Sequence, residues 1–204
     1  MGESSIYITT PITGVLLCGG ESKRMGIDKA FINYHGVPQY HHLYNLLKPL
    51  CDTVVISCNQ QQFHLIPDTF TKVLDAQQYK DAGPMTGVLS TIHTNPGQSI
   101  LVVGCDYPFI DETILNTLLH ARDSDHDAVS IFNQTSGFYE PLISLYEERC
   151  FDGLMEFYAN KNTSLQQFLK AIQTKKVITE ELYKIQSIDT KNEFDRITSK
   201  GRPA

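Results

Sequence analysis

Short runs of apolar and β-branched residues recur along the first two thirds of the chain. Five of them predict β-strands: residues 13–17, 53–57, 72–74, 99–103 and 128–132. Three of these runs are almost wholly apolar instead of alternating with polar residues. That pattern is typical of parallel strands that are covered on both faces of a sheet.

Apolar residues at helical spacing fill the intervals between these runs. Two such sets stand out: Tyr40, Leu43, Leu46, Leu47 and Leu50, and then Ile114, Leu115, Leu118 and Leu119. Asp111 stands at the N-cap position of the second predicted helix. Alternation of strands and helices predicts an α/β fold, a three-layer α/β/α sandwich with a mostly parallel, Rossmann-like sheet.

The second half of the chain is less regular. Its patterns predict a strand at 142–146, helices at 150–158 and 164–174, a strand at 183–188 and a terminal helix from about residue 191. The charges at 146–149 are interpreted as the solvated start of a helix. Neither a repeat nor a linker divides the chain, so we expect one domain over residues 1–204, with residues 1–11 as a flexible lead-in.

Composition and charge exclude several classes of protein. The formal net charge of −6 argues against a nucleic-acid binder, which would present a basic face. The apolar runs are far shorter than a membrane helix, and residues 1–11 do not resemble a signal peptide. We therefore expect a cytoplasmic protein with neither membrane nor nucleic-acid partners. The five cysteines are dispersed and lack CxxC spacing, so neither a zinc site nor a disulfide is expected.

The strongest chemical signal lies in residues 16–29, directly after the first predicted strand. Gly19 and Gly20 allow backbone N–H groups to approach a phosphate, and Arg24 and Lys29 add two cations. A triphosphate needs this combination because its charge must be offset before the α-phosphorus is attacked. The segment lacks the Gly-Lys-Ser/Thr of a Walker A loop and the spacing of GxGxxG.

Asp106 is the second signal, just past the apolar run at 99–103. Its position predicts a carboxylate at the carboxyl edge of the sheet, where α/β proteins bind ligands. Mg²⁺ is usually held by one or two carboxylates together with substrate phosphates. Because Asp111 already serves as the helix cap, Asp106 is interpreted as a metal ligand.

The pattern Gly-Gly-x-Ser-x-Arg-Met-Gly-x-Asp-Lys at 19–29 resembles the signature of molybdenum cofactor guanylyltransferases. The resemblance continues at residues 83–87, 104–108 and 140–142, and weakly at 189–190. It implies a nucleotidyltransferase sheet and a Mg²⁺-dependent enzyme that transfers GMP from GTP to the terminal phosphate of molybdopterin. It also leaves open transient contacts with other molybdenum-cofactor proteins.

The resemblance assigns roles to individual residues. Arg24, Lys29 and Asp106 would be catalytic, and the metal ligands would be Asp106 and Asp189, the latter where relatives often carry asparagine. The nucleotide would be bound by ten residues: Leu17, Cys18, Gly19, Gly20, Lys29, Asn59, Asp75, Gly83, Pro84 and Asp106. Of the Asn-x-Asn that relatives commonly carry at 57–59, only Asn59 is kept, because residue 57 is serine.

Three alternatives remain open at this point. A cytidylyltransferase for the same cofactor usually carries Pro-Lys where this chain has Asp28-Lys29. A nucleotidyltransferase of sugar phosphates or another small acceptor usually carries Gly-x-Gly-Thr-Arg, which is absent. The third alternative is a GTP-binding cofactor chaperone without enzymatic activity. The acceptor is expected at residues 140–142 and 162–169.

Overall fold

A computed structural model describes residues 10–19, 28–190, 192, 193, 195 and 196. Seven strands form one sheet in the order β3-β2-β1-β4-β6-β5-β7. The strands are β1 Ile12–Leu17, β2 Thr53–Cys58, β3 Lys72–Leu74, β4 Ser99–Gly104, β5 Ala128–Asn133, β6 Phe138–Tyr146 and β7 Thr174–Val177. All five strands predicted in the first two thirds of the chain are present, each within one residue of its expected ends.

Strand directions place the carboxyl ends of six of the seven described strands at one edge, because β6 alone among them runs the other way. β1 pairs in parallel with both β2 and β4, and β2 pairs in parallel with β3. β6 runs antiparallel to β4 and β5, while β7 is parallel to β5. The prediction of a mostly parallel sheet is therefore confirmed, and the residues that follow β1 to β4 all emerge at the same edge.

Six α-helices cover the two faces of the sheet in the described part of the chain. They are α1 Gln39–Leu47, α2 Gln60–Leu65, α3 Pro84–Thr94, α4 Glu112–His120, α5 Phe151–Ala159 and α6 Leu165–Ala171. Successive residues of β1 point to opposite cores: Leu16 packs with α1 and α4, whereas Val15 packs with α3 and α5. Burial on both faces explains the continuous apolar runs and confirms the three-layer sandwich.

The end of the chain departs from the prediction. The helix expected at 164–174 ends at Ala171, and the polar segment Thr174–Val177 forms edge strand β7. The strand expected at 183–188 is wrong, because a 3-10 helix occupies Leu182–Ile185. Helix α2 is a short element that the apolar pattern did not predict. Residues 192, 193, 195 and 196 are helical, as expected for the terminal segment.

The interpretation of residues 146–149 as a solvated helix start holds for Glu148 and Arg149, which are exposed and begin a 3-10 helix before α5, but it is wrong for Glu147. It is 2% exposed and receives two hydrogen bonds of 2.8 Å from the Arg122 guanidinium and one of 2.6 Å from Ser99 Oγ. Arg122 also donates to the Thr10 carbonyl. A forked, fully bonded pair of this kind compensates for the loss of hydration. It joins four segments at the amino edge of the parallel strands.

The start of the described chain is anchored to the sheet. Besides the bond to Thr10, the Pro11 carbonyl accepts a hydrogen bond from Ser99 N at 2.9 Å. These two residues of the predicted lead-in thus belong to the folded part, and residues 1–9 lie outside the described chain. In the described ranges, helices are too short or too polar to cross a membrane.

Candidate functional site

A cavity of about 460 Å³ opens at the carboxyl edge of β1, β2 and β3. Six of the residues predicted to bind nucleotide line it: Leu17, Gly19, Asn59, Asp75, Gly83 and Pro84. They come from four separate segments of the chain. The parallel pairing of the strands brings them together, because each strand delivers its following loop to the same edge.

Asp75, directly after β3, is a charged residue in the wall of this cavity. Its Oδ1 accepts a 2.8 Å hydrogen bond from Ser57 Oγ. Burial raises the pKa of the Asp75 carboxyl, and the Ser57 hydrogen bond partly opposes that rise. A Cβ at Gly19 would lie 2.7 Å from Asp75 Oδ2, so glycine is required for the carboxylate to approach the end of β1. Asp75 is therefore a fixed hydrogen-bond acceptor in the cavity wall.

Gly83 and Pro84 also line this cavity, at the point where α3 begins. Gly83 has φ +58° and ψ −137°, a conformation that side-chain-bearing residues rarely adopt, and it is the N-cap of α3. Pro84 follows at the first helical position, where its missing N–H costs no hydrogen bond. The predicted turn into a helix is thus confirmed, and it brings the start of α3 to the cavity.

Asn59 follows β2 and is the N-cap of α2. Its Oδ1 accepts a 2.9 Å hydrogen bond from Gln62 N, while Gln62 Oε1 accepts one from Asn59 N. This reciprocal capping box occupies the acceptor atom of the Asn59 side chain. The Nδ2 amide remains as the group with which Asn59 can contact a ligand in the cavity.

Asp106 lies just past β4, next to the end of β1. Cys105 N donates to the Leu17 carbonyl at 3.1 Å, which ties the two strand ends together. Burial raises the pKa of Asp106 to about 6; Lys29 opposes the rise, whereas Asp189 and Glu140 add to it. The end of β4 and the Lys29 segment therefore converge at one place, as the sequence predicted.

Asp189 joins this group from the far end of the chain. Ile188 N donates to the Asp106 carbonyl at 2.8 Å, and Asp189 Oδ1 lies 2.6 Å from Lys29 Nζ. Asp189 N is held by Glu193 Oε2 at 2.9 Å. The three side chains predicted for catalysis or metal binding in the described chain, Lys29, Asp106 and Asp189, thus lie together.

Two carboxylates suit a hard divalent cation whose remaining ligands are substrate oxygens. Three or more His, Cys, Asp or Glu side chains do not cluster closely enough to hold a metal ion within the described residues. Asp106 and Asp189 could therefore hold Mg²⁺ only if phosphate oxygens of the substrate supply further ligands, because protein side chains alone do not complete the site in the described residues. The prediction for Gly20 and Arg24 falls outside the described residues.

A comparison with protein families decides the kind of protein. Residues 14–177 match the MobA-like NTP transferase domain. The chain belongs to this family. In this member of the family, the cavity, Lys29 and Asp106 lie at the carboxyl edge of the sheet.

Individual relatives agree with the family match. The molybdenum cofactor biosynthesis bifunctional protein of Synechocystis sp. is 35% identical over 138 residues, which are 67% of this chain and 39% of that protein. The molybdenum cofactor guanylyltransferase of Pseudomonas putida is 30% identical over 160 residues, which are 78% of this chain and 82% of that protein. The chain thus spans well under half of the bifunctional relative.

Among solved structures, molybdopterin-guanine dinucleotide biosynthesis protein A from Archaeoglobus fulgidus superposes with a TM-score of 0.74. The match covers 93% of this chain and 100% of that one, at 19% sequence identity. At this identity the likeness concerns the fold, and it confirms the α/β architecture of a MobA-like NTP transferase.

Two residues of this MobA-like NTP transferase site were missed by the sequence analysis. Ser57 was interpreted only as the loss of an asparagine, yet its hydroxyl holds Asp75. Gln62 was not singled out, although it hydrogen-bonds to Cys18 and Asp28. The spacing Asn59-x-x-Gln62 matches a capping box and could have revealed the start of α2.

Proposed function

We propose that this protein is a Mg²⁺-dependent molybdenum cofactor guanylyltransferase. It transfers GMP from GTP to the terminal phosphate of molybdopterin and releases pyrophosphate. The observation that carries the proposal is the junction at Leu17: this residue lines the nucleotide cavity, and its carbonyl binds the segment that carries Asp106. The names of relatives that align over 78% of the chain support the same reaction.

The nucleoside occupies the cavity beside Asp75, and the triphosphate extends toward Lys29 and Asp106. Asp75 accepts hydrogen bonds from donor groups of the nucleoside. Lys29 offsets the negative charge of the triphosphate as a mobile point charge. Arg24 is proposed to grip the same phosphates. When bound by Asp106 and Asp189, Mg²⁺ supplies further positive charge to the phosphates.

The reaction needs no covalent intermediate on the protein. An oxygen of the terminal molybdopterin phosphate attacks the α-phosphorus of GTP. The bond from that phosphorus to the oxygen bridging the β-phosphate breaks, and pyrophosphate leaves with this oxygen. Because the attacking phosphate is already anionic at neutral pH, no strong general base is required. Positioning and electrostatic stabilisation supply the rate.

A second cavity, of about 280 Å³, is the proposed acceptor site. It is lined by residues that include Pro84, Tyr107, Pro141, Leu142, Leu165 and Gln166. It brings together the two segments that resemblance assigned to the acceptor, and it shares Pro84 with the nucleotide cavity. Gln166 Oε1 is buried without a hydrogen-bond partner in the described chain. An unpaired acceptor beside apolar walls suits a flat heteroaromatic ring that carries an amino group.

The proposal is tested with purified protein, molybdopterin, Mg²⁺ and each of the four ribonucleoside triphosphates in turn. Mass spectrometry of the products is expected to reveal the guanine dinucleotide with GTP, together with one pyrophosphate per product. Product formed only from CTP would identify a cytidylyltransferase. Tight GTP binding without pyrophosphate release would identify a nucleotide-binding chaperone.

A further inference from the structure

Gln62 is a buried side chain that connects three segments around the candidate site. It lies in α2 and is 1% exposed. Its Nε2 donates to the Cys18 carbonyl and to Asp28 Oδ2, each at 2.8 Å. Its Oε1 accepts from Asn59 N at 3.1 Å. One carboxamide therefore uses both of its N–H groups and its oxygen on segments that flank the nucleotide cavity.

The two donated bonds join both ends of segment 19–27. Cys18 immediately precedes Gly19, and Asp28 immediately precedes Lys29. Because the NH₂ group of Gln62 binds both Cys18 and Asp28, it fixes the distance between the end of β1 and the pair Asp28-Lys29.

Asp28 connects Gln62 to the turn that begins at Lys29. Its Oδ1 accepts a 3.0 Å hydrogen bond from Ala30 N and caps the 3-10 helix Lys29–Phe31. Its Oδ2 is the atom held by Gln62. Both carboxylate oxygens of Asp28 are thus engaged, one by Gln62 and one by the turn that carries Lys29.

Gln62 is itself held firmly. Its backbone N–H is bound by Asn59 Oδ1 in the capping box described above. A buried amide is costly unless its hydrogen bonds are made, whereas an apolar side chain of similar size could fill the same space without that requirement. A glutamine at position 62 is therefore better explained by a need for directed hydrogen bonds to Cys18 and Asp28 than by the filling of space.

We propose that Gln62 is a positioning residue for nucleotide transfer. It sets Lys29 against Gly19 so that both can bind one triphosphate. The identity of this ligand as a nucleoside triphosphate rests on the proposed function. Gln62 acts through Cys18 and Asp28 and does not contact the reacting atoms.

The test exchanges donor and acceptor across the Gln62–Asp28 hydrogen bond. Gln62→Glu places two carboxylates in contact, and Asp28→Asn places two amide groups in contact. In the double variant Q62E/D28N, the amide introduced at position 28 can donate to the carboxylate introduced at position 62, while its oxygen still caps Ala30. Gln61→Glu, an exposed neighbour on α2, is the matched control for added charge.

Each single variant is expected to lower kcat by about 30- to 100-fold, with a smaller change in the KM for GTP, because misplacing a catalytic group by about 1 Å costs this much. The double variant is expected to recover about tenfold over Q62E without reaching the native rate, because a carboxylate at position 62 still cannot donate to the Cys18 carbonyl. Q61E is expected to match the native protein. Losses that multiply in the double variant, or a Q62E rate equal to that of Q61E, would overturn the inference.

Two further measurements distinguish a failure of this inference from misfolding and from a failure of the proposed function. If Q62E does not fold, Gln62→Met removes the same bonds without pairing two carboxylates, and a native kcat in Q62M would overturn the inference. The dissociation constant for GTP with Mg²⁺ is measured for every variant. Rescue of GTP binding in a protein that makes no dinucleotide would support Gln62 while refuting the proposed function. If the native protein makes the dinucleotide but the double variant recovers nothing, only the role of Gln62 is refuted.

Discussion

Lys29 Nζ lies 2.6 Å from Asp189 Oδ1, although 160 positions separate the two residues in the chain. The lysine side chain is 16% exposed and the aspartate side chain 53%. The sequence predicts that Lys29 contacts the triphosphate and that Asp189 contacts the metal. The ion pair brings the predicted triphosphate-binding lysine and the predicted metal-binding aspartate together. When a metal-bound triphosphate binds, this pair would be replaced by a lysine–phosphate contact and an aspartate–metal contact.

Asp189→Ala should raise the Mg²⁺ concentration needed for half-maximal turnover by about tenfold, because one of two carboxylate ligands is lost. Asp189→Asn, which keeps an oxygen, should lie between the alanine variant and the native protein. Pyrophosphate release measured across a Mg²⁺ titration checks this order. An unchanged titration in the alanine variant would mean that Asp189 serves Lys29 alone.

Asp106→Asn should lower kcat by about 10² to 10³-fold, as expected when one charge-stabilising contact at the transition state is lost. The measurement is steady-state pyrophosphate release at saturating GTP and Mg²⁺. Asp125→Asn, in an exposed loop, is the matched control and should retain the native rate. Near-native turnover in D106N would contradict the assignment of the metal ligand.

The stability of the metal-free protein should depend on pH through Asp106. Burial raises the pKa of this carboxyl from 3.8 to about 6, so the folded chain binds its proton more tightly than the unfolded chain. The free energy of unfolding should therefore fall as pH rises from about 4 to 6, relative to D106N. Above pH 6 the variant should be more stable by up to about 3 kcal/mol, from about 1.4 kcal/mol per pKa unit. Urea unfolding of both proteins at pH 4, 5, 6 and 7 measures the gap, and parallel curves would contradict it.

Ser57→Ala should raise the KM for GTP about tenfold and leave kcat nearly unchanged. The variant removes the 2.8 Å hydrogen bond that orients Asp75, and bonds to charged groups contribute about 1.5–3 kcal/mol. Initial rates at varied GTP concentration separate the two constants. Ser124→Ala, at an exposed position, controls for loss of a hydroxyl. A fall in kcat with constant KM would refute a role in nucleotide binding.

Arg122→Met should destabilise the fold by about 3 kcal/mol, because it leaves the Glu147 carboxylate buried without its partner. The pair lies at the amino edge of the sheet, away from the cavity. At a temperature where the variant remains folded, kcat should therefore stay within about twofold of the native value. Denaturant unfolding and turnover measured on the same sample test both halves, and a large loss of kcat in folded protein would contradict this separation.

Local sequence patterns were sufficient for the central sheet and for much of the site. β1 and β4 are buried on both faces, so their apolar runs identify them, and a strand end followed by a glycine or a carboxylate marks the ligand edge. Gly19 and Asp106 could be placed in this way from the sequence alone.

The missed features depend on partners that are distant in sequence. β7 is an edge strand with polar residues, which lacks the apolar signature of a central strand. Glu147 is buried because Arg122 reaches it across 25 positions. Gln62 is polar and lies in a helix of only six residues, so its importance follows from contacts with Cys18 and Asp28. Such pairings become visible only once the sheet has assembled.

Following the α-phosphate of GTP tests the central claim most directly. The protein is incubated with molybdopterin, Mg²⁺ and GTP labelled at either the α- or the γ-phosphorus. We expect the α-label in the dinucleotide and the γ-label in pyrophosphate, with both signals reduced by at least about a hundredfold in D106N. An α-label that remains in free GMP, or a γ-label that appears on the acceptor, would contradict transfer of GMP by this site.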